Sequence, residues 1–285
     1  MLVAVVADKG APGVTTSCLA LALGWPRPVL LAECDPAGAD LPWRLTGAGG
    51  RPLVQGTGLV SLATAGRGLP TGTGSQAVQQ TVWEHVQQLD GGLGVLIGPP
   101  GPEQAEAMGG AWGMIADLLA GLPGTDVVAD CGRLLSRSSP VVPLVQRADL
   151  VVVVTRTTVS GVAHARHGLG VAARIRNDGP QAGLGSVSGL DRLAVLVVVD
   201  PATPGSRKAH QRQVDEVLAD VPGLQDVPVV GVLAYDPRTA AALNGHPRPG
   251  RPRRALDRSP LLRSAADAAR ALVARADELQ LTQVP

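Results

Sequence analysis

The chain has 285 residues, of which 45% are hydrophobic and 17% charged, a composition that excludes a disordered protein and provides for a large buried core. Its 25 basic and 24 acidic residues leave a formal net charge of +1, so bulk charge does not indicate a polyanion binder. Three cysteines without a CxxC pair disfavour a disulfide scaffold or zinc ribbon, and no apolar run reaches the roughly 18 residues of a membrane span, so we expect a reduced, cytoplasmic protein.

Short apolar runs rich in β-branched residues alternate with longer helical patterns. The predicted strands cover residues 2–7, 29–34, 93–97, 126–130, 150–155, 193–199 and 227–234. The predicted helices cover residues 15–23, 75–89, 102–119, 159–175, 205–218 and 260–281, and the expected loops are 46–74, 177–189 and 245–254. Most of these strands are apolar throughout rather than alternating, which indicates a mainly parallel sheet buried on both faces. The order predicts one doubly wound α/β domain over residues 1–285.

A Gly-rich turn follows the first predicted strand and precedes a helix, an arrangement that directs backbone N–H groups and a helix N-terminus at a phosphate. The turn reads Asp8-Lys9-Gly10-Ala11-Pro12-Gly13-Val14-Thr15-Thr16. The P-loop pattern is G-x-x-x-x-G-K-[ST], and the turn keeps its second glycine and its threonine. Asp8 replaces the first glycine, and Val14 replaces the lysine. A plain strand-to-helix turn is the alternative interpretation.

Two other predicted strands end in carboxylates. Glu33-Cys34-Asp35-Pro36 follows the second strand, and Asp130 ends the strand over residues 126–130. A carboxylate beside a phosphate loop can act on water or on the hydration shell of Mg²⁺. Each aspartate can equally cap a turn or a helix, which is the alternative for both.

Taken in order, these segments resemble the MinD/ParA-type deviant Walker A ATPase family, and most of all its CpaE/TadZ-like pilus-assembly and localisation branch. Residues 9–16 are similar to the family's K-G-G-x-G-K-[ST]-[ST], and residues 33–38 to its D-x-D-P-x-G motif. Residues 127–132 look like its Walker B strand, and residues 227–245 follow its last strand and helix. The resemblance implies a P-loop NTPase-like fold that binds ATP and Mg²⁺.

The resemblance also implies a role for each site residue. Lys9 would reach across an ATP-sandwich dimer, and Asp35 would orient the attacking water. Thr15, Asp35 and Asp130 would serve the Mg²⁺ ion. The nucleotide contacts would come from Lys9, Gly10, Ala11, Pro12, Gly13, Val14, Thr15, Thr16, Asp200 and Pro201. Asp200 stands where the family usually reads adenine with Asn; a carboxylate accepts from the adenine amino group but cannot donate to a ring nitrogen, so base selectivity stays open.

We therefore expect an ATP-dependent dimerisation and localisation switch that recruits or positions a pilus, secretion or polarity machine. Its ATP hydrolysis would be weak or absent, and it would lie in the cytoplasm or at the inner face of the membrane or cell pole. A pseudo-ATPase scaffold and a ParA-like DNA-partition ATPase are the alternatives. The segment 245–263 carries six Arg and one Asp, which suits DNA, an acidic membrane surface, a partner protein or a solvated basic loop.

Three further features have simpler expected roles. Cys18, Cys34 and Cys131 are expected to be buried fillers. His164 and His167 are three residues apart on a predicted helix, and without further ligands in view they are expected at the surface or in packing rather than on a metal. The last helix is expected to pack on the domain rather than on a membrane, because its apolar stripe is rich in alanine and lacks aromatics.

Overall fold

The computed structural model describes residues 1–10, 12–67, 76–134, 136–178, 189–200, 205–221, 223–245 and 259–282, without the side chains of residues 76–78. Its strands are β1 (Leu2–Ala7), β2 (Val29–Glu33), β3 (Gln87–Gln88), β4 (Gly94–Leu96), β5 (Asp126–Arg133), β6 (Leu150–Arg156), β7 (Leu193–Val198) and β8 (Val229–Leu233). They form one sheet in the order β3-β4-β2-β5-β1-β6-β7-β8. Every pair is parallel except β3 with β4. The expected mainly parallel sheet is thereby confirmed.

Helices connect the strands. They are α1 (Val14–Leu23), α2 (Leu41–Arg44), α3 (Leu59–Gly66), α4 (Gln76–Glu84), α5 (Pro102–Ala107), α6 (Ala111–Ala120), α7 (Val142–Arg147), α8 (Val159–Asn177), α9 (Arg207–Ala219), α10 (Pro237–Leu243) and α11 (Pro260–Leu281), with a 3₁₀ turn at Ala48–Gly50.

The core consists of two apolar layers, one on each face of the sheet. Alternate residues of β1 point into different layers, since Leu2 belongs to one and Val3 to the other. Residues of α3, α6, α7 and α8 fill the first layer, and residues of α1 and α11 fill the second. Helices on both faces are what the uniformly apolar strands predicted, because such strands have no polar face to expose.

Three of the predicted elements were wrong in part. The predicted helix 75–89 ends at Glu84, and Gln87–Gln88 forms the antiparallel edge strand β3. The predicted helix 102–119 is two helices, because Gly109 between them adopts a left-handed conformation with φ 49°. The expected loop 46–74 contains α3, whose Leu59 and Leu62 are fully buried.

The sheet topology determines where a site can form. The strand after β1 in sequence, β2, lies on one side of β1, whereas β6 pairs with β1 on the other. In doubly wound sheets, ligands bind outside the carboxyl ends of the strands where the strand order reverses. Because β1, β2, β5 and β6 are parallel neighbours, the segments that follow them meet at one edge, next to β1.

Candidate functional site

The turn from β1 into α1 leaves backbone N–H groups open to a ligand. Gly10 and Gly13 adopt φ values of 87° and 93°, a left-handed conformation that glycine accepts without steric cost. Gly13 is the N-cap of α1 and offers no side chain to the first-turn amides of Val14 and Thr15. Unpartnered amides at a helix N-terminus favour an anion. Lys9 extends from the same turn and is exposed, while Ala11 lies outside the described residues.

Val14 occupies the P-loop lysine position but packs into the core. Only 8% of its surface is exposed, and it belongs to the apolar layer that α1 shares with α11. The start of α1 thus presents backbone amides and hydroxyls to the edge of the sheet, but no positive side chain. Among the described residues of the turn, Lys9 is the one with a positively charged side chain.

Asp130 lies in β5, beside β1, and is 1% exposed. Burial raises its pKa to about 7, and the nearby Thr15 side chain opposes that increase. Its Oδ1 accepts from the Gly132 amide at 3.1 Å, whereas its Oδ2 has no hydrogen-bond partner within the part of the chain that the structure describes. A buried carboxylate oxygen without a partner beside a threonine hydroxyl fits Mg²⁺, which prefers oxygen ligands. Within the described residues, no group of three or more His, Cys, Asp or Glu could hold a metal ion by itself, so most ligands of a Mg²⁺ ion would be water and phosphate.

Asp35 follows β2 at the same edge. Its Oδ1 accepts from the Ala37 amide at 2.8 Å. Burial raises its pKa, the Asp40 charge adds to the increase, and Arg133 opposes it. The backbone of β5 and that of the β2 turn are tied together, because the Cys34 amide donates to the Asp130 carbonyl at 2.7 Å. The structure therefore places Asp35, just after β2, beside the neighbouring strand β5 that carries Asp130. The strand predicted to end at Asp130 continues to Arg133.

Glu33 stands at the first acidic position of the motif and has a structural role that the sequence did not show. It is 1% exposed, and its Oε1 accepts from the amides of Asp40 and Leu41 at 2.6 and 2.8 Å. Its Oε2 accepts from the Gly98 amide at 3.1 Å. Burial raises the pKa of Glu33, while the three amides oppose that increase. The carboxylate thus fastens the segment after Asp35 to the end of β4.

Asp8 turns toward α8 rather than toward the turn that it opens. Its Oδ1 lies 2.9 Å from Nδ1 of His167, and its Oδ2 lies 3.2 Å from Nδ1 of His164. A carboxylate only accepts hydrogen bonds, so Nδ1 of His167 is the donor in its contact, whereas His164 lies at ion-pair distance. The expectation that the two histidines serve only the surface or packing is corrected in part, because they share a buried acidic partner. Their common helix face was visible in the sequence, but their partner lies 159 residues away from His167.

Asp200 follows β7, two strands away from β1. Its amide donates to Oγ1 of Thr157 at 3.0 Å, and its Oδ2 lies 3.5 Å from Nη1 of Arg156. Both partners stand at or just beyond the end of β6, so Asp200 belongs to the same edge as the phosphate turn. The ion pair with Arg156 was not apparent from the sequence. Pro201 lies outside the described residues.

A contact that the sequence did not indicate links α1 to the C-cap residue of α10. Asn244 accepts at Oδ1 from the Thr16 hydroxyl at 3.3 Å and from Nη1 of Arg44 at 2.9 Å. Thr16 therefore has a structural partner and stands beside the segment that follows α10. The Arg-rich segment 245–263 begins there, but its residues 246–258 lie outside the described part of the chain.

The cysteines behave as expected. Cys18, Cys34 and Cys131 are free thiols with no exposed surface, and burial raises the pKa of each well above its ordinary value. A thiol that is both buried and neutral is a small apolar filler. Leu272 and Ala276 of α11 are buried against the sheet, which confirms packing as the role of the last helix. Among the described helices, none is long and apolar enough to cross a membrane.

Comparison with known proteins supports the fold. No family model matches the chain, and no curated protein matches it. Among solved structures, apo McdA from Cyanthece is similar with a TM-score of 0.63 and 15% identity over 95% of this chain and 98% of that one. A ParA family ATPase from Chlorobium tepidum TLS has a TM-score of 0.60 and 15% identity over 94% and 96% of the two chains. The septum site-determining protein MinD from Pyrococcus horikoshii OT3, complexed with Mg-ADP, has a TM-score of 0.54 and 16% identity over 94% and 93%.

These likenesses cover nearly the whole chain and show that it has the α/β fold of MinD and ParA. The fold expected from the sequence is confirmed. At such low identities the likeness concerns the fold, and the roles of individual residues rest on the geometry described above.

Proposed function

We propose that the chain is a nucleotide-dependent localisation switch of the MinD/ParA type. Mg-ATP binds where β1 meets α1, binding favours a homodimer, and the dimer recruits or positions a pilus, secretion or polarity machine, as in the CpaE/TadZ-like branch. The observation that carries this proposal is the buried Asp130 near Thr15 at the start of α1, because its Oδ2 has no hydrogen-bond partner among the described residues. The fold shared with a MinD that was solved with Mg-ADP supports the same location.

Different residues at this edge of the sheet would bind the phosphates, the metal ion and the base. The amides of the turn and of the first turn of α1 bind phosphate oxygens, with Gly10 and Gly13 permitting the close approach. Thr15 and Asp130 would hold Mg²⁺, and Asp35 would orient a water molecule for attack. Bound Mg-ATP supplies the transferable phosphoryl group and the charge of the metal. Asp200 would contact the base, and Pro201, the other residue expected there, lies outside the described residues.

Lys9 connects nucleotide binding with dimerisation. It is exposed on a turn that points out of the sheet edge, so its ammonium group is free to reach a second copy of the chain. A small open cavity on its α8 side is lined by Lys9, Gly10, Arg156, Thr158 and Ser160. In the proposed dimer this face meets its counterpart, and Lys9 of each protomer contacts phosphates held by the other.

Burial of Val14 supports a second candidate, a pseudo-ATPase scaffold of the same fold. A P-loop lysine neutralises charge on the β- and γ-phosphates, and an apolar side chain inside the core cannot do so. A scaffold would dimerise or bind its partner machine without responding to nucleotide. The two candidates differ in whether Mg-ATP binds at all.

We place the protein in the cytoplasm or peripherally at the inner face of the membrane. The basic segment 245–263 would give it a surface for an acidic partner, for lipid headgroups or for DNA. This location is a proposal that rests on composition and on the kind of machine that such switches serve.

Equilibrium titration with a fluorescent ATP analogue, with Mg²⁺ or with EDTA, tests nucleotide binding. We expect wild type to bind with a marked dependence on Mg²⁺, and Thr15→Val to weaken the Mg²⁺-dependent part by about 10–100-fold. Thr64→Val is the matched control, because that hydroxyl lies on the exposed surface of α3 and donates to the Val60 carbonyl of its own helix. If the wild-type protein binds no nucleotide, the proposed switch is contradicted and the pseudo-ATPase scaffold remains as the candidate.

A further inference from the structure

We propose that His164 and His167 are positioning residues of the nucleotide site. They hold the Asp8 carboxylate against α8 and so keep its negative charge away from the phosphates. The pair would allow an aspartate to stand where P-loops have a glycine. This inference rests on the proposed nucleotide binding and adds to it two residues that lie outside the phosphate turn.

The contacts show a carboxylate held by two imidazoles at once. Each oxygen of Asp8 has its own Nδ1 partner, at 2.9 Å in His167 and 3.2 Å in His164. The Asp8 side chain is 5% exposed, whereas those of His164 and His167 are 31% and 57% exposed. An aspartate buried to this extent needs polar partners, and here His167 provides a hydrogen bond and His164 an ion-pair contact.

Close packing between α8 and the turn makes this arrangement possible. Gly168 faces the start of the turn, and a Cβ at residue 168 would lie 3.4 Å from Cβ of Asp8. A Cβ at Gly10 would lie 3.9 Å from Cδ2 of His164, so the same imidazole also borders the phosphate turn. Helix α8 therefore contacts Asp8 at the start of the turn and lies close to Gly10.

The charges around the small cavity beside Lys9 show why an unrestrained Asp8 carboxylate would weaken nucleotide binding. Among the residues that line it, Asp8 is the one acidic side chain, and Lys9 and Arg156 are the cations. A triphosphate at the turn would be repelled by a carboxylate a few ångströms away. A carboxylate released from α8 would also compete with phosphates for Lys9. Both effects lower nucleotide affinity, and both disappear if residue 8 carries no charge.

A rescue experiment separates positioning from simple packing. The His164→Ala/His167→Ala double variant frees the Asp8 carboxylate, and we expect it to bind the fluorescent ATP analogue about 10-fold more weakly than wild type. Adding Asp8→Gly to the double variant removes the charge and restores the P-loop residue, so affinity returns to within about 3-fold of wild type. Arg166→Ala is the control, because it removes an exposed basic residue from the same helix without touching Asp8.

Hydrogen–deuterium exchange of the peptide that covers residues 8–16, without nucleotide, provides a second readout. We expect the double histidine variant to exchange there at least about 10-fold faster than wild type and Arg166→Ala, because the turn has lost its anchor on α8.

Each outcome is decisive. An affinity loss that Asp8→Gly does not repair, or no affinity loss, overturns the positioning role. If wild type binds no nucleotide, the proposed function fails, and exchange alone then decides: faster exchange in the histidine variant supports an anchored turn, and unchanged exchange overturns it.

Discussion

Asp35 packs directly against the backbone of Gly132, with no room between them for a side chain. A Cβ added at residue 132 would lie 2.1 Å from Cγ of Asp35 and 2.2 Å from its Oδ2. Gly132 also has a φ of 59°, a backbone conformation that residues other than glycine rarely adopt. The proposed water-orienting carboxylate therefore has its position determined by a glycine of the neighbouring strand.

Gly132→Ala should lower the free energy of unfolding for two reasons. The left-handed backbone costs about 1–2 kcal/mol, and displacement of Asp35 adds about 1–3 kcal/mol. Gly124→Ala is a matched control, because Gly124 has a φ of 65° with nothing within 4 Å of an added Cβ. Urea denaturation of both variants measures the difference. Equal losses in the two variants would show that Asp35 moves aside freely.

Asp130 should make the stability of the nucleotide-free protein depend on pH. Its pKa is about 7 in the folded chain and near 3.8 in an unfolded one, so between these values the folded state binds a proton that the unfolded state has released. Stability therefore falls as pH rises from about 4 to 7. Asp130→Asn removes this dependence. The difference in unfolding free energy between the variant and wild type should therefore shift in favour of the variant from pH 5 to pH 8. At 1.36 kcal/mol per pKa unit, the shift is about 3 kcal/mol at most.

Urea denaturation of wild type and Asp130→Asn at both pH values, with EDTA present, tests this prediction. A stability difference that does not change with pH would contradict the raised pKa. The same carboxylate must lose its proton to bind a metal ion, so Mg²⁺ affinity in wild type should weaken below pH 7.

The sequence predicted which segments meet at the edge of the sheet better than it predicted the side-chain contacts between those segments and the helices. Apolar strands that end in Asp or in a Gly-rich turn are local signals, and parallel pairing then places Asp35, Asp130 and the phosphate turn together. The partner of Asp8 could not be predicted in this way, because it lies on a helix five strands later in the chain. The break at Gly109 was missed although the pair Gly109-Gly110 is a turn signal, and α3 was missed because short helices resemble loops rich in Gly and Thr.

Glu33 should be a structural rather than a catalytic carboxylate. Glu33→Ala removes three hydrogen bonds to amides and leaves those amides without partners, which should cost roughly 2–4 kcal/mol of unfolding free energy. Glu103→Ala, in the first turn of α5 and exposed, should change stability by less than about 0.5 kcal/mol. Thermal and urea denaturation compare the two. If Glu33→Ala is as stable as wild type, the proposed structural role of Glu33 is wrong.

ATP turnover should be slow or absent even when nucleotide is bound. Loss of one preorganised charge contact to the transition state typically costs about 10²–10³ in rate, and Val14 is an apolar core residue at the place of that contact. Phosphate release at saturating Mg-ATP measures the rate. Turnover comparable with that of enzymes that have the full P-loop would show that another cation replaces the missing lysine.

Lys9 should be required for nucleotide-dependent dimerisation but not for folding. It is one of only two lysines among 25 basic residues, it is exposed, and it extends from the proposed phosphate turn. In the proposed dimer its ammonium group neutralises phosphate charge held by the other protomer, so the interface and nucleotide retention depend on each other. Lys9→Ala should therefore stay monomeric with Mg²⁺ and a non-hydrolysable ATP analogue, while its unfolding free energy stays within about 0.5 kcal/mol of wild type.

Sedimentation velocity of wild type, Lys9→Ala and Lys208→Ala, with and without the analogue, tests this role. Lys208 is the matched control, because it is the other lysine of the chain and is exposed on α9. Wild type and Lys208→Ala should shift from monomer to dimer when the analogue is added. A Lys9→Ala protein that dimerises with the analogue would refute the trans contact, and a wild type whose sedimentation ignores the analogue would favour the scaffold, because a switch must bind nucleotide more tightly as a dimer than as a monomer.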